Sequence, residues 1–268
     1  AFGLVLRWAQ QRRCNVFAVG FVNYAFATLY QVAEQASRGP AGQISPVSLW
    51  MGALVGTLYA LNFGIFGPMI EKRGVSISTA VVRMSVMLPI IAAVLFWHET
   101  PAAIQGVGII LTLVAMPLII IKPGVPGGLE GSAVPLLIAM FLGNGISTLL
   151  FQAYQKLGLA GEDTLFLMCL FGAATLVTFV AWRMRVKGSS WRDLVPGILL
   201  GLTNALANVT LLNALRQLPS VIVFPFYSAV GLIIAVVAAR IFWDERISRR
   251  EAFGVLLSIV AVALVNMG

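Results

Sequence analysis

Nine stretches of this chain contain no Lys, Arg, Asp or Glu: 14–33, 46–70, 84–98, 100–121, 131–155, 164–182, 194–215, 217–239 and 252–268. The third reaches back to Gly74 if Arg83 is accepted inside it. Each run then approaches or exceeds the roughly 20 residues that carry an α-helix across a hydrocarbon core. The strands of a membrane barrel would be about 10 residues long and alternating. Of the 268 residues only 10% are charged, against about 25% in a soluble domain. The pattern predicts an all-α, polytopic membrane protein. The opening AFGLVL runs into RWAQQRRC and reads as a further helix cut short, so that ten spans are expected. Charge that follows the apolar stretch is the reverse of a signal peptide, and about 15 residues would precede Ala1 if the two halves match in length. A nine-span chain is the other way to count.

The net charge of +8 would point to nucleic acid in a soluble protein. Here it follows the connections instead. With the stub numbered as span one, loops 1–2, 3–4, 5–6, 7–8 and 9–10 hold Arg7, Arg12, Arg13, Lys72, Arg73, Lys122, Arg183, Arg185, Lys187, Arg192, Arg240, Arg246, Arg249 and Arg250. The remaining loops hold Arg38, Lys156 and Arg216. The positive-inside rule places the first set in the cytoplasm and both termini outside. The expected partners are therefore the lipid bilayer and a small-molecule substrate, with no nucleic acid and with a homodimer allowed.

At an offset of 146 residues, AAVLFWHE (92–99) lies over AARIFWDE (238–245) with five of eight positions identical. The same offset pairs Thr57 with Thr203, Asn62 with Asn208, Gly108 with Gly254 and Leu111 with Leu257. Between the copies lies KPGVPGGLEG, rich in the residues that punctuate structure. The expected organisation is a first repeat over 1–121, a linker over 122–131 and a second repeat over 132–268. Five spans per repeat is an odd number, so equal halves must face opposite ways across the membrane, as in many secondary transporters. Phe96 and Trp97 would anchor the end of span four at the interface. Thr100-Pro101 reads as a helix cap, and Ser248 with Glu251 has capping-box spacing. His98 and Glu99 read as part of this turn, because the second copy has Asp244 in place of His98.

The two blocks GVSISTAVVRMSVMLPIIAAVLFWHETPAAIQGVGIILTLVAMPLII and VIVFPFYSAVGLIIAVVAARIFWDERISRREAFGVLLSIVAVALV each place an acidic residue after an apolar helix and before a short glycine-bearing one. In this the chain resembles the EamA-like branch of the drug/metabolite transporter superfamily. The resemblance implies a ten-helix secondary transporter, multi-pass in a cell membrane such as the bacterial inner membrane. It would work as an exporter of a small amino-acid-like, amphipathic or anionic metabolite by alternating access around a central cavity. Members of that superfamily are commonly drawn with cytoplasmic termini, the reverse of the orientation that the charge bias predicts here. A non-transporting interaction or receptor protein is the alternative class.

Polar groups inside spans are costly unless they face protein or water. Arg83 is the one charge well inside a span, about 13 Å along the helix from Gly74. It shares a face with Thr79 and Ser76. Arg83 either binds an anionic substrate group or snorkels and caps carbonyls. Tyr59 and Asn62 in span three, Asn144 in span six, Asn204 and Asn208 in span eight, and Tyr227 and Ser228 in span nine complete the candidate substrate-binding set. Buried Asn also serves as glue between helices. Pro89 and Pro225 mark kinks or hinges. Gly52-x-x-x-Gly56 and Gly197-x-x-x-Gly201 read as helix packing.

The chain is not expected to be an enzyme or to hold a cofactor. It has one His and no metal spacing of its two Cys. It contains no nucleotide-binding loop, no HExxH and no GxSxG. No carboxylate lies deep in a span, and Glu34 stands near the end of span two, so a carboxylate proton relay has no support in the sequence.

Overall fold

A computed structural model describes residues 2–39, 45–120, 134–157, 161–184, 188, 190–243 and 249–265. Among them every regular element is helical: α1 Phe2–Gln11, α2 Val16–Arg38, α3 Pro46–Met84, α4 Met87–Phe96, α5 Ala103–Ile120, α6 Val134–Leu157, α7 Asp163–Met184, a 3-10 turn Trp191–Asp193, α8 Leu194–Gln217, α9 Ser220–Trp243 and α10 Arg249–Val265. Five stretches are long and apolar enough to cross a membrane: Val16–Arg38, Pro46–Met69, Pro135–Leu157, Asp163–Met184 and Trp191–Gln217. Their outward residues, such as Leu29, Leu61 and Leu176, are exposed, as lipid-facing side chains must be where no water competes for them.

The chain forms two compact units. The first consists of residues 2–68 and 150–216, the second chiefly of 69–149 and 217–268. Each takes residues from both sides of the Gly/Pro linker. In the first unit α2 packs along α7, with Thr28 Oγ1 and Thr175 Oγ1 3.1 Å apart and Phe21 stacked on Trp182. Both small-residue motifs are contact surfaces. A Cβ on Gly52 would lie 2.7 Å from the Phe166 carbonyl oxygen, and one on Gly56 would overlap the backbone of Leu170. On α8, Gly197 faces Val22 and Gly201 faces the Asn23 carbonyl of α2. Without a hydrophobic force between helices in lipid, such backbone approach is what holds them together. In the second unit α5 packs along α10, and α4 and α5 pack on α9.

One predicted boundary is wrong. Lys72 and Arg73 were expected in a loop between spans three and four, yet α3 runs unbroken from Pro46 to Met84. The chain breaks instead at Ser85–Val86. Pro89 lies four residues beyond Ser85 and has no N–H to offer its carbonyl, so the helix loses a rung there. Ser85 Oγ turns back to donate to the Val82 carbonyl at 2.6 Å. The depth of Arg83, counted from a helix start at Gly74, therefore loses its origin. Arg83 stands one residue before the end of α3.

The repeated FW phrase ends α4 at Phe96, 75% exposed, with Trp97 as C-cap. His98 takes φ +50°, a left-handed conformation in which His and Asp are enriched among non-glycine residues. The start of α5 is also displaced. Thr100-Pro101 does not cap it. The helix begins at Ala103, and Gln105 Oε1 accepts from the Ala102 N–H at 2.9 Å, which is half of a capping box. Ser248 lies outside the described residues, as does the side chain of Glu251.

Candidate substrate-binding site

The nine candidate residues fall into the two units. Thr79, Arg83, Asn144, Tyr227 and Ser228 belong to the second; Tyr59, Asn62, Asn204 and Asn208 belong to the first.

In the second unit the guanidinium of Arg83 lies over the ring of Tyr227, with Cζ 5.3 Å from the centroid. This is a cation–π pair between α3 and α9. Gly231, one turn beyond Tyr227, makes room for it: a Cβ there would lie 2.6 Å from Arg83 Cζ and 2.8 Å from Nη1. Arg83 is half-buried and, among the described residues, pairs with no carboxylate. Ser228 is fully buried and its hydroxyl has no hydrogen-bond partner among the described residues. Phe224, one turn before it, is completely buried. The side chain of Thr79 lies outside the described residues.

Asn144 is occupied. Its amide donates to the Val82 carbonyl at 3.3 Å and to Ser85 Oγ at 2.6 Å, while a Cβ on its neighbour Gly145 would lie 3.0 Å from the Ser85 carbonyl oxygen. Asn144 thus stitches α6 to the α3–α4 break through the Val82 carbonyl and the Ser85 hydroxyl, while the Ser85 carbonyl that Pro89 leaves without its rung accepts from the Leu88 N–H at 3.1 Å. Ser85 is the partner that sequence reasoning missed. Its signal was its place four residues before a proline.

In the first unit Tyr24 Oη donates to the Tyr59 carbonyl at 3.1 Å, and Tyr59 Oη to Asn208 Oδ1 at 3.1 Å. Asn208 Nδ2 donates to both the carbonyl and Oδ1 of Asn204 at 2.8 and 3.0 Å. Asn204 Nδ2 reaches Asn23 Oδ1 at 3.5 Å. The chain of amides links α2, α3 and α8, and most of its hydrogen-bonding capacity is used internally. Asn62, half-buried on α3, also has its polar group engaged. The buried amides of Gln31 and Gln152 and the Asn23 amide nitrogen have no partner among the described residues, and buried water is the usual partner of such groups.

Two carboxylates act as helix caps. Glu99 Oε2 accepts from the Val221 N–H at 2.9 Å, at the start of α9. Glu162 accepts from the Ser45 N–H and from Ser48 Oγ at the start of α3. Both meet the positive end of a helix whose first N–H groups lack intrahelical partners. Glu34 pairs with Arg38 one turn further along α2.

Helices of this length and apolarity define a multi-pass helical membrane protein. Residues 131–267 match the EamA-like transporter family, and the chain belongs to that family, within the drug/metabolite transporter superfamily. It is 28% identical over 222 residues to an uncharacterized protein of Haemophilus influenzae, covering 81% of this chain and 74% of the relative. A crystal structure superposes with a TM-score of 0.79 over 99% of this chain and 96% of that one, at 13% identity, a likeness of fold alone. The family consists of membrane transporters.

Proposed function

We propose that this protein is a secondary transporter for a small metabolite bearing an anionic group, bound through Arg83 and exported by alternating exposure of Arg83 and Tyr227 to the two sides of the membrane. The observation that carries this reading is the state of Arg83: a half-buried guanidinium whose partner among the described residues is the face of an aromatic ring. A charge kept inside a membrane protein without a counter-charge is expensive. The chemistry that offsets that cost is a transient anion. Tyr59, Asn204 and Asn208, and by the same logic Asn144, serve as the frame that holds the helices in place.

The test is flux in liposomes. The purified protein is screened against labelled amino acids and other metabolites, with Arg83→Ala and Arg83→Lys beside it. Arg83→Ala is expected to lower flux of the transported compound by about a hundredfold, the worth of a charge-assisted pair of roughly 3 kcal/mol. Arg83→Lys should recover part of it, because an ammonium keeps the charge without the planar fork. Unchanged flux in Arg83→Ala removes the arginine from the mechanism. Absence of flux with every compound favours the receptor class. Direction follows from orientation. In a background without Cys14 and Cys169, a cysteine at exposed Ser37 should react with an impermeant thiol reagent on intact cells, and one at exposed Gly188 should not.

A further inference from the structure

We infer that Arg83, Ser228 and Gly231 form a seat for a single negative charge, selecting a monocarboxylate with an aromatic or apolar body over a phosphate ester, and that Gly231 is the residue positioning the guanidinium. This rests on the transport reading above and names the substrate class of the same site. The first support is the unspent hydroxyl. A buried Ser or Thr within a helix ordinarily donates to the carbonyl four residues back. Thr112, Ser147, Thr178 and Ser258, all buried, do so to Gly108, Gly143, Ala174 and Gly254. Ser228, equally buried, has Phe224 four residues back and makes no such bond. An unpaired buried hydroxyl is costly, and a ligand oxygen would relieve that cost.

The second support is placement. Tyr227 and Ser228 precede Gly231 by four and three residues, so both flank it on α9. Arg83 meets Tyr227 and fills the space above Gly231. The third is charge. Among the described residues the seat offers one positive charge and one hydroxyl. Glu99, the acid nearest in sequence to α4, is engaged at the start of α9. A carboxylate closes that balance. A dianionic phosphate would bring a second charge that no cation among the described residues meets, and a desolvated unpaired charge is strongly disfavoured. The Tyr227 ring, 42% exposed, and Phe224 supply apolar surface for the remainder of the solute.

Gly231 separates positioning from folding. The atoms a Cβ would meet belong to the tip of a flexible arginine, so Gly231→Ala should displace the guanidinium and leave the helix packing intact. The experiment measures equilibrium binding of phenylacetate, phenyl phosphate and phenethylamine, which share a ring and differ in charge, to wild type, Gly231→Ala, Gly231→Ser and Ser228→Ala in detergent. Melting temperature is recorded alongside. Wild type should bind phenylacetate at least about tenfold more tightly than phenyl phosphate and should not bind the amine. Each glycine variant should lose about tenfold in phenylacetate affinity at unchanged melting temperature, and Ser228→Ala about threefold at a melting temperature that is unchanged or raised, because the unpaired hydroxyl is gone. Equal or tighter binding of phenyl phosphate, wild-type affinity in both glycine variants, or no binding of any of the three overturns the one-charge seat. The transport reading is judged separately, by whether Arg83→Ala abolishes metabolite flux, and survives those results if it does.

Discussion

The amide chain of the first unit and the arginine seat of the second are built from the same kind of material, polar side chains inside apolar helices, and they end in opposite states. Tyr59, Asn208 and Asn204 spend their donors and acceptors on one another. Among the described residues Arg83 and Ser228 spend almost nothing: a ring face in one case, no bond in the other. A membrane interior enforces hydrogen bonding more strictly than water does, so on the proposed reading the amide chain serves as frame, and Arg83 with Ser228 serves the ligand. Substitutions in the first region should therefore cost stability, and those in the second should cost binding.

The largest effect expected from this contrast is at Gly56. A Cβ there overlaps the Leu170 backbone, which cannot swing aside as a side-chain tip can. Gly56→Ala should cost about 3 kcal/mol, at the upper end for overpacking, read as a lower melting temperature in detergent. Gly231→Ala, the same chemical change, should leave that temperature unmoved. If the two variants melt alike, the division between frame and seat is lost.

Next in size is the amide chain itself. Asn208→Ala removes an acceptor for Tyr59 and two donations to Asn204, and should cost about 1–2 kcal/mol, in the range of buried hydrogen bonds inside membranes. Tyr59→Phe, which loses one bond, should cost about half of that. Neither should change substrate affinity more than about twofold. A tenfold loss of affinity at constant melting temperature in Asn208→Ala would return that residue to the substrate.

The long spans were legible because hydrocarbon thickness fixes the length of an apolar run, and five of the expected spans are long and apolar enough to cross a membrane among the described residues. The small-residue motifs were legible for a similar reason: a missing side chain has one main use between helices, and Gly52, Gly56, Gly197 and Gly201 all have it. The α3–α4 boundary was not. Lys72 and Arg73 are good helix formers, and their charge alone does not end a helix. Pro89 pointed to the true break, but its effect is felt at the carbonyl four residues earlier, at Ser85. Arg83, Tyr227 and Ser228 stood out as polar groups in apolar surroundings. That Tyr59 would bond Asn208, and Asn144 the broken backbone, had no sequence signal, because side-chain partners across helices leave no periodicity.

The smallest expected effect compares the two capping carboxylates. Glu162 and Glu99 both hold the start of a helix, α3 and α9, and those helices carry the two regions contrasted here. Glutamine keeps one acceptor oxygen and removes the charge, so it tests the electrostatic part of each cap, worth about 0.3–1 kcal/mol at a helix N-terminus and up to about 2 when partly buried. Glu162 is buried and accepts from a backbone N–H and a hydroxyl at once, so Glu162→Gln should lower the melting temperature and leave substrate affinity unchanged. Glu99 meets α9 seven residues before Ser228. If the start of α9 sets the register of Tyr227 and Gly231 against Arg83, Glu99→Gln should lower affinity by about twofold to threefold with a smaller change in melting temperature. Equal behaviour of the two variants in both measurements would mean that the α9 cap supports only the fold, and that the seat is positioned by Gly231 alone.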